Sequence, residues 1–91
     1  MGVIDLGTLG GESEALDVNC DGQVVGRFVR PEGGNGTFLW TMKGGMRDIT
    51  PRRLTLGARP VGIDSEGRIA VHDDQGDVGT TRSVVLVPWR P

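Results

Sequence analysis

The sequence predicts an all-β fold made of two four-stranded antiparallel repeat units, and three observations carry this expectation. Sixteen glycines and five prolines among 91 residues describe a chain that turns often. Short apolar segments alternate with polar residues, as half-buried strands do. A stretch of sequence also recurs about 45 residues later, a period typical of four-stranded propeller blades. No segment has the i, i+3, i+4, i+7 spacing of an amphipathic helix, so we expect little or no helix.

The recurrence relates residues 15–25 to residues 60–70. Apolar residues match apolar residues at Leu16/Val61, Val18/Ile63 and Val24/Ile69, as the sequence shows. The turn sequence Asn-x-Asp-Gly of the first copy matches Asp-x-Glu-Gly in the second. Two looser echoes keep the same order, and they relate 3–6 to 46–49 and 37–41 to 84–87. We therefore expect a single domain, 1–91, that contains repeats at about 3–45 and 46–91.

Each repeat is predicted to begin with a hairpin. Asn19 and Asp64 start four-residue turns that end in Gly22 and Gly67, where the side-chain oxygen can accept hydrogen bonds and glycine tolerates a positive φ. Strands with period-two alternation flank both turns. The eight expected strands lie near 3–9, 14–18, 23–30, 37–42, 46–50, 59–63, 68–72 and 82–88. Longer connections are expected at 31–36 and 73–77, and a tight one at 43–45.

Two blade-sized units cannot close a propeller, which needs about four to eight blades. Two arrangements remain open: two or three chains complete a ring together, or the eight strands form a compact barrel or sandwich. The strand at 82–88 lacks a following partner strand, whereas 3–9 supplies such a strand at the other end. We predict that these terminal strands pair, in the same chain or between chains, because pairing removes two unprotected edges.

Four motifs follow one another in a fixed order: Asp-Leu-Gly-Thr-Leu-Gly-Gly at 5–11, Asn-x-x-Gly-Gln-Val-Val-Gly at 19–26, Phe-Leu-Trp-Thr at 38–41 and Gly-Gly-Met-x-Asp-Ile at 44–49. Over about half the chain, their order and spacing resemble the HAF family of probable extracellular repeats. The second copy is degenerate and lacks the Phe-Leu-Trp motif. The His-Ala pair that precedes that motif in the family is Gly36-Thr37 here, so any role of that histidine is absent. The resemblance implies tandem, propeller-blade-like architecture, an extracellular location and no enzymatic activity.

Charge and hydropathy bear on the partners. The formal net charge of −2 gives no basic face for a nucleic acid or an anionic membrane. Arg52 and Arg53, with Arg59 nearby, form the only basic cluster, which we interpret as a solvated loop that could also serve as an interface. No apolar run approaches the ~20 residues of a membrane helix, and residues 1–9 lack the layout of a secretory signal. We expect neither nucleic acid nor membrane as a partner.

Residues 17–22 have the Asp-x-Asn-x-Asp-Gly spacing of a calcium loop. The bidentate carboxylate expected at the twelfth position is Phe28, and Asp17 is replaced by Gly62 in the second copy. A hairpin turn is therefore favoured over a metal site. No cofactor is expected.

The remaining candidates for chemistry also favour a structural interpretation. Asp73, Asp74 and Asp77 beside His72 are interpreted as a solvated acidic loop, since a single histidine gives no metal-ligand spacing. Cys20 is the only cysteine, which excludes an internal disulfide or a multi-cysteine metal site. No activated nucleophile is visible, so we predict that the chain is not an enzyme.

The two tryptophans complete the candidate residues. Trp40 alternates with Phe38 and is expected to share its core face, whereas Trp89 at the chain end is less constrained. The first hypothesis is a non-catalytic module for self-assembly or protein binding, as a homodimer or trimer. The alternative is carbohydrate binding by Trp89 and the polar loops 31–36 and 73–80. Trp89, Trp40, Arg52 and Arg53 are thus the ligand or interface candidates.

Overall fold

The structure is a computed structural model that describes residues 2–31, 33–50, 59–74 and 81–88. Within these ranges the chain forms strands and no helix, which confirms the all-β class. The strands are β1 (Ser13–Val18), β2 (Val24–Val29), β3 (Asn35–Thr41), β4 (Gly45–Asp48), β5 (Arg59–Ile63), β6 (Ile69–Asp74) and β7 (Thr81–Leu86). Nothing in these ranges is a helix with the length and hydropathy needed to cross a membrane.

The strands form two separate antiparallel sheets. Sheet A has the order β1-β2-β3-β4, and sheet B has the order β5-β6-β7. Every neighbouring pair in a sheet is consecutive in sequence, so both sheets are simple meanders. No closed barrel forms among the described residues, and the barrel alternative does not describe the part of the chain that they cover.

The first hairpins of the two sheets have the same hydrogen bonding. In sheet A the Gly22 N–H donates to the Asn19 carbonyl at 3.1 Å, and in sheet B the Gly67 N–H donates to the Asp64 carbonyl at 3.1 Å. Both glycines have positive φ, 78° and 83°, which explains why only glycine suits the fourth turn position. Both hairpins also carry a register shift, between Ala15 and Asp17 in sheet A and between Pro60 and Gly62 in sheet B.

The main core lies between the two sheets. Val25 of β2 and Val71 of β6 are completely buried there, together with Ile69. Five partly buried side chains pack around them: Leu39, Ile49, Ile63, Val84 and Leu86. Full burial of each such aliphatic side chain stabilises the fold by roughly 1.5–3 kcal/mol. This shared cluster holds the sheets face to face.

The other face of sheet A has a second, aromatic cluster of Phe28, Phe38 and Trp40. Val24 and Met46 pack against it, and so do Leu6 and Leu9 from the segment before β1. Phe38 and Trp40 share this face because they are two residues apart on β3. Sheet A is therefore covered on both faces, by sheet B on one side and by the N-terminal segment on the other.

The prediction of a strand at 3–9 is wrong, because this segment has no strand pairing. Local turns replace the ladder: the Gly7 N–H donates to Asp5 Oδ1 at 2.9 Å, and the Gly10 N–H donates to Thr8 Oγ1 at 3.3 Å. Side-chain oxygens of Asp and Thr compete with strand pairing in this way. The pairing of 3–9 with 82–88 consequently does not form within the chain, and the remaining seven predicted strands are present.

Two boundaries also differ from the sequence prediction. β3 begins at Asn35, inside the connection expected at 31–36, because the Arg30 N–H donates to the Gly34 carbonyl and closes a short turn. β6 continues to Asp74, inside the connection expected at 73–77, because it pairs with β7 up to Asp74 and Thr81. Both hairpins are thus longer than predicted.

Candidate strand-binding site

The outer edge of β7 is the feature of this fold best suited to an interaction. On one side β7 pairs with β6 along its whole length, from Ile69↔Leu86 to Asp74↔Thr81. On its other side no strand pairs with it among the described residues, whereas the corresponding strand of sheet A, β3, is covered by β4. An open edge presents backbone N–H and C=O groups that can accept another strand.

A cleft of about 790 Å³ runs beside this edge. One wall comes from sheet A and the other from sheet B, because sheet B has no fourth strand to face β4 in the part of the chain that the structure describes. The lining is mainly apolar and consists of Leu39, Ile49, Ile69, Val85, Leu86, Val87 and Pro88, with Gln23, Arg47 and Gly67. We call it the β7 cleft.

Exposed apolar side chains adjoin the β7 cleft. Val85 of β7 is 59% exposed, and Val87, which follows the strand, is 69% exposed. Leu86, between them, is partly buried in the core that joins the sheets. An extended segment laid along β7 would therefore find both backbone partners and apolar side chains to cover.

Arg47 contributes a positive charge to the cleft. Three other arginines pair with carboxylates: Arg27 with Glu14 at 2.9 Å, Arg30 with Asp48 at 3.0 Å, and Arg68 with Asp64 at 2.7 Å. Arg47 is exposed and has no carboxylate partner in the part of the chain that the structure describes. The cleft thus favours a segment with apolar residues and an acidic group.

The neighbouring charge pairs are already satisfied. Partial burial tends to raise the pKa of Asp48, but hydrogen bonds from Thr50 and the charge of Arg30 outweigh it and hold the pKa below 3.8. Hydrogen bonds from the Arg68 backbone and guanidinium likewise lower the pKa of Asp64, and this carboxylate raises the pKa of Arg68. These charged side chains stabilise turns by bonding to their own partners.

The segment with calcium-loop spacing forms the predicted hairpin turn and has a further use in the structure. Asp17 Oδ1 accepts from the Val18 N–H, and Asp17 Oδ2 accepts from the Ile63 N–H of sheet B, both at 2.9 Å. Asn19 Nδ2 donates to the Asp64 carbonyl at 3.0 Å. Asp17 and Asn19 therefore connect the two sheets, and we call this pair the inter-sheet connector. The described residues contain no group of three or more metal-ligating side chains.

The connector was missed from sequence because the spacing at 17–22 predicts only a hairpin turn, and that turn forms. In the second copy Gly62 replaces Asp17 and Asp64 replaces Asn19. The second hairpin forms without the first carboxylate, so the turn itself does not require Asp17. In the structure Asp17 and Asn19 bond the following sheet.

Of the four ligand or interface candidates, the structure describes one. Trp40 is 8% exposed in the aromatic cluster, as its alternation with Phe38 predicted, and its ring is not available to a surface ligand. Trp89, Arg52 and Arg53 lie outside the described residues, so carbohydrate binding by Trp89 stays a prediction.

The structure places His72 and Cys20 apart, and Asp77 lies outside the described residues. His72 lies in a groove of about 350 Å³ with Arg27, Arg59 and Glu14, at the opposite edge of sheet B from the β7 cleft. Cys20 is exposed in the first turn and free. Cys20 is therefore on sheet A and His72 on sheet B, in separate surroundings.

No family model matches the chain, and comparisons with curated proteins and with solved structures likewise find no match.

Proposed function

We propose that this chain is a non-catalytic, HAF-type β-repeat module whose work is self-assembly or protein binding, with an extended strand added at the edge of β7. The observation that carries the proposal is the β7 edge, with which no strand pairs in the described ranges, beside an apolar cleft of about 790 Å³. Strand addition gains main-chain hydrogen bonds, and the side chains of alternate residues provide specificity.

The energetics favour strand addition over binding of a small ligand. Each new backbone hydrogen bond contributes roughly 0.5–1.5 kcal/mol. Covering Val85 and Val87 removes apolar surface from water at about 25 cal/mol per Å². A pocket for a small molecule buries most of its ligand, whereas this cleft lies open along one side at exposed residues. A partner of strand shape fits both the edge and the cleft.

The preferred form of this function is a homodimer or homotrimer, and light scattering over a range of concentrations tests it. The wild-type chain is expected to exceed the 9.7 kDa of one chain. Val85→Lys should raise the Kd of association at least ~10-fold, because charge on an edge strand opposes pairing. Val61→Lys is the matched control, since Val61 is 65% exposed on β5, away from the β7 edge.

A monomeric mass at every concentration would exclude self-assembly. Equal weakening by both lysine variants would show that the β7 edge is not the contact. Circular dichroism and tryptophan emission of each variant establish that it is folded, since both valines are exposed and neither belongs to the cores described above.

A further inference from the structure

The segment 3–5 is exposed and has a sequence suited to pairing with the edge of β7. Val3 is 97% exposed and Ile4 is 58% exposed, and neither lies in a strand. The sequence Val-Ile-Asp-Leu at 3–6 matches Met-Arg-Asp-Ile at 46–49, which includes the end of β4. Among the described residues, sheet B therefore has an open edge at β7, and an unpaired segment elsewhere resembles the strand that closes the equivalent edge of sheet A.

This segment cannot reach its own β7 edge in the arrangement that the structure shows. Leu6 packs on the aromatic cluster, on the face of sheet A that is turned away from sheet B. Sheet A therefore lies between the N-terminal segment and sheet B of the same chain. An occupant of this sequence has to come from another copy.

The end of β4 shows how a second copy can fit. β4 pairs within sheet A up to Asp48, and the next residue, Ile49, packs into the core between sheet A and sheet B. Leu6 corresponds to Ile49, and it packs on sheet A of its own chain. Residues 3–5 can thus add to sheet B of another copy while Leu6 stays packed on sheet A of its own chain. β4 and Ile49 are divided in the same way, because β4 belongs to sheet A and Ile49 packs in the core between the sheets.

We propose, on the basis of the proposed function, that residues 3–5 of a second copy form the missing fourth strand of sheet B. The register follows from sheet A, where Trp40 pairs with Met46 and Leu39 pairs with Arg47. Trp40 pairs with Val24 in sheet A, and Leu86 pairs with Ile69 in sheet B. Because Val24 and Ile69 are equivalent in the two copies, Leu86 takes the position of Trp40, and the same register applies to sheet B. The resulting pairs are Val3–Leu86, Ile4–Val85 and Asp5–Val84.

This register satisfies the groups that the single chain leaves exposed. Ile4 and Val85 cover one another on the outer face, and Val3 enters the β7 cleft beside Leu86. Asp5 lies on the side of the new strand that faces sheet A, where Arg47 provides a positive charge in the cleft. Directly opposite apolar pairs of this kind contribute roughly 0.2–1 kcal/mol each beyond the backbone hydrogen bonds.

Disulfide trapping between two differently tagged chains tests the proposal. Both chains carry Cys20→Ser, which removes the exposed native thiol; one also carries Ile4→Cys and the other Val85→Cys. Directly opposite strand residues have Cα atoms close enough for a disulfide. Mild oxidation should give at least ~5-fold more linked heterodimer than the same mixture with Val61→Cys in place of Val85→Cys.

The outcomes separate this inference from the proposed function. Heterodimer linked through positions 4 and 85 supports it. An oligomeric mass without that linkage would overturn the register and the occupant, while self-assembly would stand. A single chain with both substitutions that forms the disulfide internally, at every dilution, would show closure within one chain and exclude the second copy. A monomeric mass without linkage overturns the inference and self-assembly together.

Discussion

At the scale of single residues, the aromatic cluster depends on two glycines, each of which lies directly opposite a phenylalanine on the neighbouring strand. Gly26 pairs with Phe38, and Gly36 pairs with Phe28. A Cβ at Gly26 would lie 2.5 Å from the Phe38 ring and would also overlap the Glu14 carbonyl. The rings therefore cover the backbone of the facing strand, which explains two glycines in strands that would otherwise favour β-branched residues.

Gly26→Ala is expected to destabilise the fold by about 1–3 kcal/mol, because the ring and the β1 backbone must both move to admit a methyl group. Urea unfolding monitored by tryptophan emission measures the free energy of unfolding. Gly2→Ala is the matched control, since a Cβ there meets no atom within 4 Å, and it should change stability by less than ~0.5 kcal/mol. Equal stability of the two variants would show that Phe38 does not hold Gly26 in this tight contact.

Asp48 gives the fold a pH dependence of known sign. Its pKa in the folded state lies below 3.8, so its contribution is present above that value and is lost as the pH falls through the folded pKa. We expect Asp48→Asn to be less stable than the wild type at pH 7. The difference should shrink as the pH is lowered below 3.8, which urea unfolding at a series of pH values measures. A constant difference at all pH values would contradict the role of the charged carboxylate.

At the scale of elements, the two first hairpins share a backbone but differ in what their turns reach. Asn19 Oδ1 and Asp64 Oδ1 each accept hydrogen bonds from two backbone N–H groups of their own turn. Asn19 also has an amide that donates to the other sheet, whereas Asp64 Oδ2 accepts a hydrogen bond from Arg68 of its own hairpin. The Asn19 side chain therefore reaches the other sheet, where the Asp64 carbonyl accepts its hydrogen bond, whereas the Asp64 side chain binds within its own hairpin.

Asp17→Ala is expected to cost about 1–3 kcal/mol, because it leaves the partly buried Ile63 N–H without its acceptor. Asp21→Ala removes a carboxylate from the same turn and serves as the control, since Asp21 is exposed and only its backbone N–H is bonded in the described part of the chain. Thermal unfolding of both variants makes the comparison. If Asp21→Ala were as destabilising as Asp17→Ala, the loss would reflect the turn and not the contact between sheets.

The strands could be predicted from sequence wherever a turn and an alternating pattern occurred together. Asn19, Gly22 and their counterparts specify hairpins locally, so their flanking strands are recognisable without knowledge of the fold. The segment 3–9 has comparable apolar content, but a strand also needs an edge to pair with, and sequence does not show which edge is available. In this segment the local turns at Asp5 and Thr8 form in place of strand pairing.

At the scale of the whole molecule, the two sheets pack in the same orientation, one behind the other. Val25 and Leu39 of sheet A face sheet B, while the opposite face of sheet A has the aromatic cluster. The β7 cleft exists because one sheet has four strands and the other has three, among the residues described. Sequence comparison predicted a further strand beside 82–88, but the β7 cleft and the inter-sheet connector depend on how the sheets stack. So does the position of Arg47, which has no carboxylate partner among the described residues.

The inter-sheet connector bears on how firmly copies can join. Within the chain, Asp17 and Asn19 hydrogen-bond the sheet that follows. A further sheet laid in the same way on the outer face of sheet B would meet Gly62, which has no carboxylate, and Asp64, which has no amide to donate. Assemblies built through sheet B would therefore contain two kinds of contact between sheets. The contact inside each chain has the hydrogen bonds of the inter-sheet connector, and the contact between chains is weaker because it lacks them. Such particles should exchange subunits on dilution while every hairpin stays folded.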